Sequence, residues 1–265
     1  RVGVKAGYNI SEALELIAQV ERGVDLTDGD STFKARSSYL GLRGEWGTVR
    51  VGYYTSPTMA LLSEVEEFRD RAGEGRNMLR QGAANLDRRL KSSVHYQSPS
   101  WNGLTFAVQY GTTETTGTST TNNNDDVLNT SVTYQTNAWT FLAGYQHDNR
   151  DMTQTVKGAR LAAIRKGQGW RVAAIVQDVD GLKDAGIPTL TSMTSWGVTG
   201  RYQLSSDLWL RAQIFARNYK NTNNESVLAT LGVDRTLSPQ LTWYGVATST
   251  QNKAGATASG TAGGH

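Results

Sequence analysis

The feature of this chain that most constrains its fold is an alternation of apolar and polar residues along almost its whole length. Such a period of two is typical of β-strands with one apolar and one polar face. Clear examples are Val2/Val4/Ala6/Tyr8, Leu104/Phe106/Val108/Tyr110, Trp139/Phe141/Ala143/Tyr145, Trp170/Val172/Ala174/Val176 and Leu208/Leu210/Ala212/Ile214. Counting a poorly phased segment near 158–166, the pattern predicts about fourteen strands.

The connections between these segments are alternately short and long. Short links lie near residues 9–12, 45–47, 98–103, 136–138, 167–169, 203–207 and 236–240. Long polar links lie near 22–34, 55–87, 111–126, 148–157, 178–193, 219–226 and from 251 onward. All four prolines fall in the links, as a sheet requires. This order predicts one antiparallel up-and-down meander over residues 1–265, with one plain rim and one elaborate rim.

Alternation alone does not tell which face is inside, because a soluble sandwich also alternates. Two features favour a transmembrane β-barrel with its apolar face outward. About fourteen consecutive meander strands exceed what an open sheet or sandwich usually holds. The polar face is rich in Gly, Thr, Gln and Arg, as the lining of a water-filled lumen would be.

The aromatic residues of the apolar face add a third reason. Tyr8, Tyr96, Tyr134, Trp139, Trp170 and Tyr202 lie next to short links, whereas Tyr53, Tyr110, Tyr145 and Trp196 lie next to long links. Two rings of Tyr and Trp around an aliphatic band form the girdles of an outer-membrane barrel. A sandwich has no reason to place its aromatic residues only at strand ends.

A sheet that spans a membrane must close, because hydrocarbon offers no partner to a backbone amide. Bacterial single-chain barrels have even numbers of strands. The chain begins within a strand and ends in a Gly/Ala/Thr-rich segment. We therefore expect it to lack the first and last strands of a sixteen-stranded barrel, a size that leaves an aqueous channel.

Composition argues against several other classes of protein. The chain has no cysteine, and its three histidines are far apart, so we expect neither a metal site nor a cofactor. The formal net charge is only +3 and the cations are scattered, which argues against binding of nucleic acid. The pattern contains no nucleophile motif, and we expect no catalytic residue and no enzyme activity.

Two blocks of sequence resemble a known family. The segment Tyr39-Leu40-Gly41-Leu42-Arg43-Gly44-Glu45-Trp46-Gly47-Thr48-Val49-Arg50-Val51-Gly52 resembles the strand–turn–strand hallmark of the general, non-specific porins of Gram-negative outer membranes. The segment Ser93-Val94-His95-Tyr96-Gln97-Ser98-Pro99, followed by Trp101-Asn102-Gly103-Leu104, is similar to a second signature of that family, and Arg1–Lys5 looks like its second strand. Two departures are Tyr53, where many members have Arg, and the absence of a terminal strand ending in Phe.

The resemblance implies a sixteen-stranded barrel in the bacterial outer membrane, in contact with its lipid and usually assembled as a homotrimer. It implies passive diffusion of small hydrophilic solutes and ions as the function. It also implies that the third external loop, here about residues 55–87, folds into the lumen and narrows it.

Candidate constriction residues follow from this loop. Leu61, Val65 and Phe68 fall on one helical face, so a short amphipathic turn is expected to pack on the barrel wall and present acids to the channel. The candidate acids are Glu64, Glu66, Glu67 and Asp70. The alternative interpretation is an exposed loop with solvated charges.

A basic wall is expected opposite these acids. Lys5, Arg43, Arg50, Arg89 and Lys91 take the polar parity of strands that flank the loop in sequence. An Arg facing lipid at mid-bilayer would cost about 2–4 kcal/mol, which favours the lumen. Opposed acidic and basic clusters create a transverse field that separates ions. Further lumen arginines on the same parity are Arg171, Arg201, Arg211 and Arg217.

Three alternatives to a passive channel stay open at the level of sequence. A substrate-selective channel would need a lumenal aromatic track, for which Tyr39, Trp209 and Phe215 are candidates. A barrel adhesin would use the same long polar loops. A barrel enzyme would need a dyad at the elaborate rim, where His147 lies beside Asp148 and Asp151.

Overall fold

Over the part of the chain that this computed structural model describes, the backbone forms one antiparallel sheet. The described residues are 1–24, 34–80, 86–113, 125–150, 154–182, 191–220 and 224–253. The strands are β1 (Val2–Ser11), β2 (Leu14–Gly23), β3 (Lys34–Ala35), β4 (Ser38–Gly44), β5 (Gly47–Thr55), β6 (Arg89–Gln97), β7 (Leu104–Thr113), β8 (Asp125–Gln135), β9 (Trp139–Arg150), β10 (Gln154–Gly167), β11 (Trp170–Leu182), β12 (Thr191–Ser205), β13 (Leu208–Tyr219), β14 (Glu225–Ser238) and β15 (Leu241–Lys253).

Each long strand pairs with the next one along the chain. The order of the sheet is β1-β2-β4-β5 and then consecutively to β15, while the two-residue β3 pairs with the end of β2. Leaving β3 aside, fourteen strands form the meander. The prediction of an all-β antiparallel meander of about fourteen strands is confirmed.

The exposure of the two faces is the reverse of that in a soluble protein. Val4, Leu161 and Leu231 are 72%, 58% and 65% exposed, whereas Gln109 and Asn129 on the opposite face are fully buried. Large exposed apolar surfaces on a protein mark a contact with something apolar. The apolar face is therefore the outer face of the sheet, and the polar face is the inner one.

The sheet curls around a segment that we call the inner loop, residues 56–88 between β5 and β6. Its described parts are 56–80 and 86–88. Side chains of β8, β10, β11, β12, β13 and β14 all hydrogen-bond to it. Arg1, at the start of the meander, donates to Asp70 of the same loop at 3.0 Å. Strands that are far apart in the sheet thus contact the same segment. This is possible only if the sheet is strongly curved.

The inner loop contains two short helices, α1 (Pro57–Val65) and α2 (Arg76–Leu79). No helix within the described ranges has the length and apolar character needed to cross a membrane.

The inner face of the sheet is apolar where the inner loop covers it. Ala162 and Ile164 of β10 point inward and are buried in one cluster with Leu61 and Val65 of the loop. Ala163, between them, points outward and is partly exposed. Both faces of this stretch are therefore apolar, which explains the poor phasing of residues 158–166.

Candidate functional site

The inner loop leaves the wall at a point where its two ends are joined. The Ser56 amide donates to the Arg88 carbonyl at 3.1 Å, and its hydroxyl donates to the Leu86 carbonyl at 3.2 Å. The same hydroxyl accepts from the Met59 amide and so caps α1, with Pro57 in the first turn. Ser56 therefore starts the helix and also joins the two ends of the inner loop.

The start of α1 is bound to the inner face of β8. Asn129 accepts from the Thr58 amide at 2.9 Å, and its own amide donates to the Thr58 hydroxyl at 2.8 Å. A Cβ on Gly144 of β9 would crowd the side chains of Thr58 and Leu61. The helix thus lies against a polar clamp on one strand and a glycine on the next.

The apolar side of α1 packs on the wall, as its amphipathic pattern suggests. Leu61 and Val65 are 3% and 0% exposed and form one buried cluster with Leu142, Ile164 and Ile175 of β9–β11. Phe68, just beyond the helix, is fully buried. Burial of apolar surface stabilises by about 25 cal/mol per Å², so these contacts hold the loop inside the barrel.

A buried ion pair holds the other end of the loop. Arg160 on β10 binds Asp87 with two hydrogen bonds, at 2.5 and 3.0 Å, and neither side chain is exposed. The Arg160 guanidinium also donates to the Thr58 carbonyl at 2.8 Å and to Gln177. One side chain of the wall therefore binds both the start and the end of the inner loop.

Glu67 of the inner loop lies among three arginines of the wall. One carboxylate oxygen accepts from Arg171, and the other accepts from Arg211 at 2.6 Å. Arg201 lies 3.8 Å from the second oxygen. Glu67 is only 6% exposed, so its charge is directed to the wall of β11–β13.

The contacts of Arg211 extend to β14. Its Nε donates to Asp234 at 2.7 Å, and Asp234 also pairs with Arg71 of the inner loop at 2.7 Å. We call this set the arginine ladder; it comprises Arg71, Arg171, Arg201, Arg211, Glu67 and Asp234. Four guanidinium groups and two carboxylates give the ladder an excess of positive charge.

Two further loop acids lie in poorly solvated positions. Glu66 accepts from the Arg76 amide at 2.9 Å and is 9% exposed. Burial raises the pKa of Glu66 to about 8, and the nearby Glu74 carboxylate adds to this effect. Burial also raises the pKa of Glu74, although the Arg76 guanidinium opposes the change. Glu66 can thus gain a proton near neutral pH.

Beside the loop, the inner face keeps an open cavity of about 510 Å³. Glu64 and Arg69 border it from the loop side, and both are exposed. Tyr54, His95 and Gln97 border it from β5 and β6. Its lining combines polar and apolar groups, and charges of both signs reach it.

Arg50 lies directly behind this lining. It is 8% exposed, its Nη1 lies 3.3 Å from His95 Nδ1, and its Cζ lies 4.8 and 5.7 Å from the ring centroids of Tyr54 and Tyr39. A weaker hydrogen bond of 3.5 Å reaches Gln97. Cation–π contacts with these two rings stabilise the Arg50 guanidinium.

Comparison of the sequence with known protein families agrees with this curved sheet and its inner loop. A model described as "Gram-negative porin" matches residues 2–255. The chain belongs to the Gram-negative porin family. It is therefore a protein of the bacterial outer membrane, from a family of non-enzymatic channels, which confirms the family and location expected from its two signature blocks.

Curated relatives of this porin match part of its length. The "Major outer membrane protein P.IB" of Neisseria gonorrhoeae is 26% identical over 145 residues, which are 55% of this chain and 39% of the relative. The chain thus aligns with about two fifths of the length of that relative.

Solved structures match nearly all of the porin. The "Anion-selective porin from Comamonas acidovorans" has a TM-score of 0.84 at 20% identity and covers 97% of this chain and 80% of its own. OmpT of Vibrio cholerae in a trimer form has a TM-score of 0.71 at 15% identity, covering 94% and 80%. At these identities the matches establish the fold, and they confirm a porin-type barrel.

The remaining loop acid and two of the predicted basic residues lie away from the cavity. Asp70 is exposed and pairs with Arg1 at 3.0 Å. Arg43 pairs with Glu15 at 3.1 Å, close to the short turn that joins β4 to β5. Lys5 is exposed on β1.

The last two predicted basic residues lie near a bulge in β6. The register between β5 and β6 shifts between Gly52 and Tyr54, and Ser92 has a φ of 41°. Strict alternation therefore does not continue from Ser93 to Arg89. Arg89 donates to the Ser37 hydroxyl at 3.3 Å, and Lys91 is exposed.

Sequence reasoning missed a fully buried ion pair of the porin, Arg160 and Asp87. Seventy-three residues separate the two, and no local spacing connects them. The available signal was an Arg next to the apolar stretch Leu161–Ile164 and on its inward parity, since a charge there needs a partner.

Of the rim site considered for an enzyme, the two described residues have separate partners. His147 contacts Asn149 at 3.0 Å, while the neighbouring Asp148 points inward and pairs with Arg88 at 2.6 Å. Asp151 lies outside the described residues. No cluster of three or more His, Cys, Asp or Glu side chains suited to a metal ion occurs in the described part of the chain.

Proposed function

We propose that this porin is a passive diffusion channel for small hydrophilic solutes and ions. The observation that carries the proposal is the inner loop, which is bound along β8–β14 while a cavity bordered by charges of both signs stays open beside it. A loop held in this way narrows a lumen without closing it. Such a passage needs no bound cofactor and no chemistry.

The candidate constriction has two sides with different charges. Of the predicted acids and bases, we infer that Glu64 of the loop faces Arg50 and its contacts across the lumen. The buried acids Glu66 and Glu67, and the more distant Asp70, Lys5, Arg43, Arg89 and Lys91, contribute less to this constriction. Glu64 and Arg50 are the best supported pair, because Glu64 borders the cavity and the contacts of Arg50 line it. Glu67 acts chiefly as an anchor, since arginines of the wall surround it.

A mild preference for anions follows from the arginine ladder. Its excess of guanidinium groups lies on the lumenal side, where its electrostatic potential acts on passing ions. The similar structure from Comamonas acidovorans is described as an anion-selective porin, which supports the same sign here.

A substrate-selective channel receives less support from the same residues. Phe215, a candidate for an aromatic track, is fully buried beneath the inner loop. Tyr39 packs edge-on against Tyr54 with centroids 5.1 Å apart, and Trp209 lies under Arg201 at 5.5 Å. The three rings have separate partners. An adhesin would depend on the long loops, much of which lies outside the described residues.

We further propose that the porin assembles as a homotrimer, since a trimer form is known for the similar OmpT of Vibrio cholerae. Chemical cross-linking in outer membranes should yield a species of three chains. A product that stops at a single chain would contradict this assembly.

Swelling of porin-containing liposomes in sugars of increasing size tests the main proposal. A passive channel predicts a swelling rate that falls smoothly with solute size and does not saturate with concentration. Fast uptake of one sugar, out of line with its size, would instead indicate a selective channel.

A further inference from the structure

An arginine lies on the outer, lipid-facing side of the wall, at the end of β10. Arg165 is exposed and follows Leu161 and Ala163 on the outward parity of the strand. Its Cζ lies 5.1 Å from the ring centroid of Trp139 and 6.0 Å from that of Trp170. Two indoles of the aromatic girdle thus hold a cation between them.

This cation has no carboxylate partner among the described residues. Arg235, another outward arginine near a short turn, differs in this respect because it pairs with Asp207 at 3.1 Å. A cation at the bilayer interface is far less costly than one at mid-bilayer, and it attracts anionic headgroups. Arg165 therefore presents an unneutralised charge at the level where headgroups lie.

An apolar groove of about 550 Å³ begins next to Arg165 on the same outer face. Its floor contains three alanines from neighbouring strands, Ala143, Ala163 and Ala174, and Phe141 and Leu161 are among its larger lining residues. Small residues flanked by large ones produce a furrow rather than a smooth surface.

The register of the sheet connects the cation to this groove. Arg165 is paired with Trp139 on β9 and with Val172 on β11, and two residues further Ala163 is paired with Phe141 and Ala174. Phe141 stacks on Trp139 with centroids 5.6 Å apart, so the groove continues directly from the indole pair. Val172 borders a second apolar groove of about 590 Å³.

We propose that this face holds one anionic glycerophospholipid of the periplasmic leaflet. The short turns of outer-membrane barrels lie on the periplasmic side, which places Arg165 at that leaflet. The lipid phosphate binds the Arg165 guanidinium, the glycerol lies against the two indoles, and one acyl chain occupies the alanine-floored groove. The second chain enters the groove beyond Val172. This site is separate from the lumen and does not depend on the proposed channel function.

The charge of the site decides between possible occupants. A neutral apolar ligand would fill the grooves and leave Arg165 without a counter-ion. A soluble phosphate would pair with Arg165 and leave the grooves empty. A glycerophospholipid with a net negative charge satisfies both features.

Native mass spectrometry of the protein in detergent, titrated with dioleoyl phosphatidylglycerol, tests the proposal. We expect Arg165→Gln to weaken retention of the first lipid by roughly fivefold, the effect of one interfacial cation. Ala163→Trp should also weaken it, because the indole fills the groove while the charge remains. The matched control Arg235→Gln should leave retention unchanged, because Asp207 already neutralises that arginine. Retention by Arg165→Gln equal to that of the unmodified protein would overturn the proposal.

A second measurement uses the unmodified protein and so does not depend on the folding of any variant. Phosphatidylglycerol with brominated chains should quench the tryptophan fluorescence at lower concentration than brominated dioleoylglycerol of the same chain length. An excess of glycerol phosphate should not displace it, because the chains contribute to binding. Equal quenching by the charged and neutral lipids, or displacement by glycerol phosphate, would show that no such combined site exists.

Discussion

Arg160 of β10 and Asp87 of the inner loop form a two-pronged ion pair whose side chains are both fully buried, with hydrogen bonds of 2.5 and 3.0 Å. The pair lies at the point where the loop returns to the wall. Since Arg160 also binds the Thr58 carbonyl, the pair connects both ends of the loop to β10.

Replacing Arg160 with Met should detach the return of the loop. The change leaves the Asp87 carboxylate buried without its guanidinium, which typically costs about 3–5 kcal/mol. The free energy of unfolding in urea should fall by that amount. The double variant Arg160→Met/Asp87→Leu should recover most of the loss, because no buried charge is left. Equal stability of Arg160→Met and the unmodified protein would mean that the pair does not hold the loop.

Glu67 and Glu64 should respond differently to the same substitution. Glu67→Gln leaves the arginine ladder with a single carboxylate and should lower the free energy of unfolding by about 1–3 kcal/mol. Glu64→Gln changes an exposed side chain and should alter stability by less than about 0.5 kcal/mol. Both should increase the anion preference, measured as the reversal potential in a KCl gradient. A stability loss in Glu64→Gln as large as that in Glu67→Gln would contradict the different burial of the two acids.

Stability should depend on pH through Glu66. Its pKa in the folded protein is raised from 4.5 to about 8, so between these values the folded state binds a proton that the unfolded state has lost. The stabilisation by the protonated carboxyl is complete below pH 4.5 and is lost as the pH rises through about 8. Unfolding in urea at a series of pH values should show this decline.

A Gln at position 66 imitates the protonated carboxyl and should flatten the pH profile. Glu64→Gln serves as the control and should leave the profile unchanged. If the profile of Glu66→Gln keeps the original slope, another group, such as Glu74, causes the decline.

The period-two pattern was sufficient to predict the meander, because every strand of a membrane barrel must separate lipid from water. The helical spacing of Leu61, Val65 and Phe68 likewise predicted their packing, because an amphipathic helical face is a local property. The sequence did not predict which residues of the sheet the inner loop contacts. The contacts of Glu67 with Arg171 and Arg211 join residues more than a hundred positions apart, and no local pattern records them.

The alternation also failed at two places for local reasons. Ala162 and Ile164 point inward yet are apolar, since the inner loop covers them. The bulge at Ser92 breaks the parity that relates Lys91 to His95. In the first case a tertiary contact makes inward residues apolar. In the second case an extra residue shifts which side chains point inward.

Arg50 should influence ion selectivity more than Arg43. Arg50→Ser removes a cation next to the cavity lining, while Arg43→Ser removes one that Glu15 already pairs. The anion preference should fall in Arg50→Ser, and the fall should be largest at low salt, because the Debye length is about 30 Å at 0.01 M and about 3 Å at 1 M. If Arg50→Ser folds normally and keeps its selectivity at low salt, Arg50 lies away from the constriction and this assignment is wrong.

Single-channel recording in planar bilayers measures the passage itself. A water-filled channel predicts discrete steps of constant size, with a conductance that rises nearly in proportion to KCl between about 0.1 and 1 M, where screening suppresses the field of the ladder. Arg160→Met removes the ion pair that binds the inner loop to β10. The conductance step should then increase, because the loop leaves part of the lumen. A current that saturates at low KCl would contradict a passive channel narrowed by this loop. The absence of any current with folded protein present would contradict it as well.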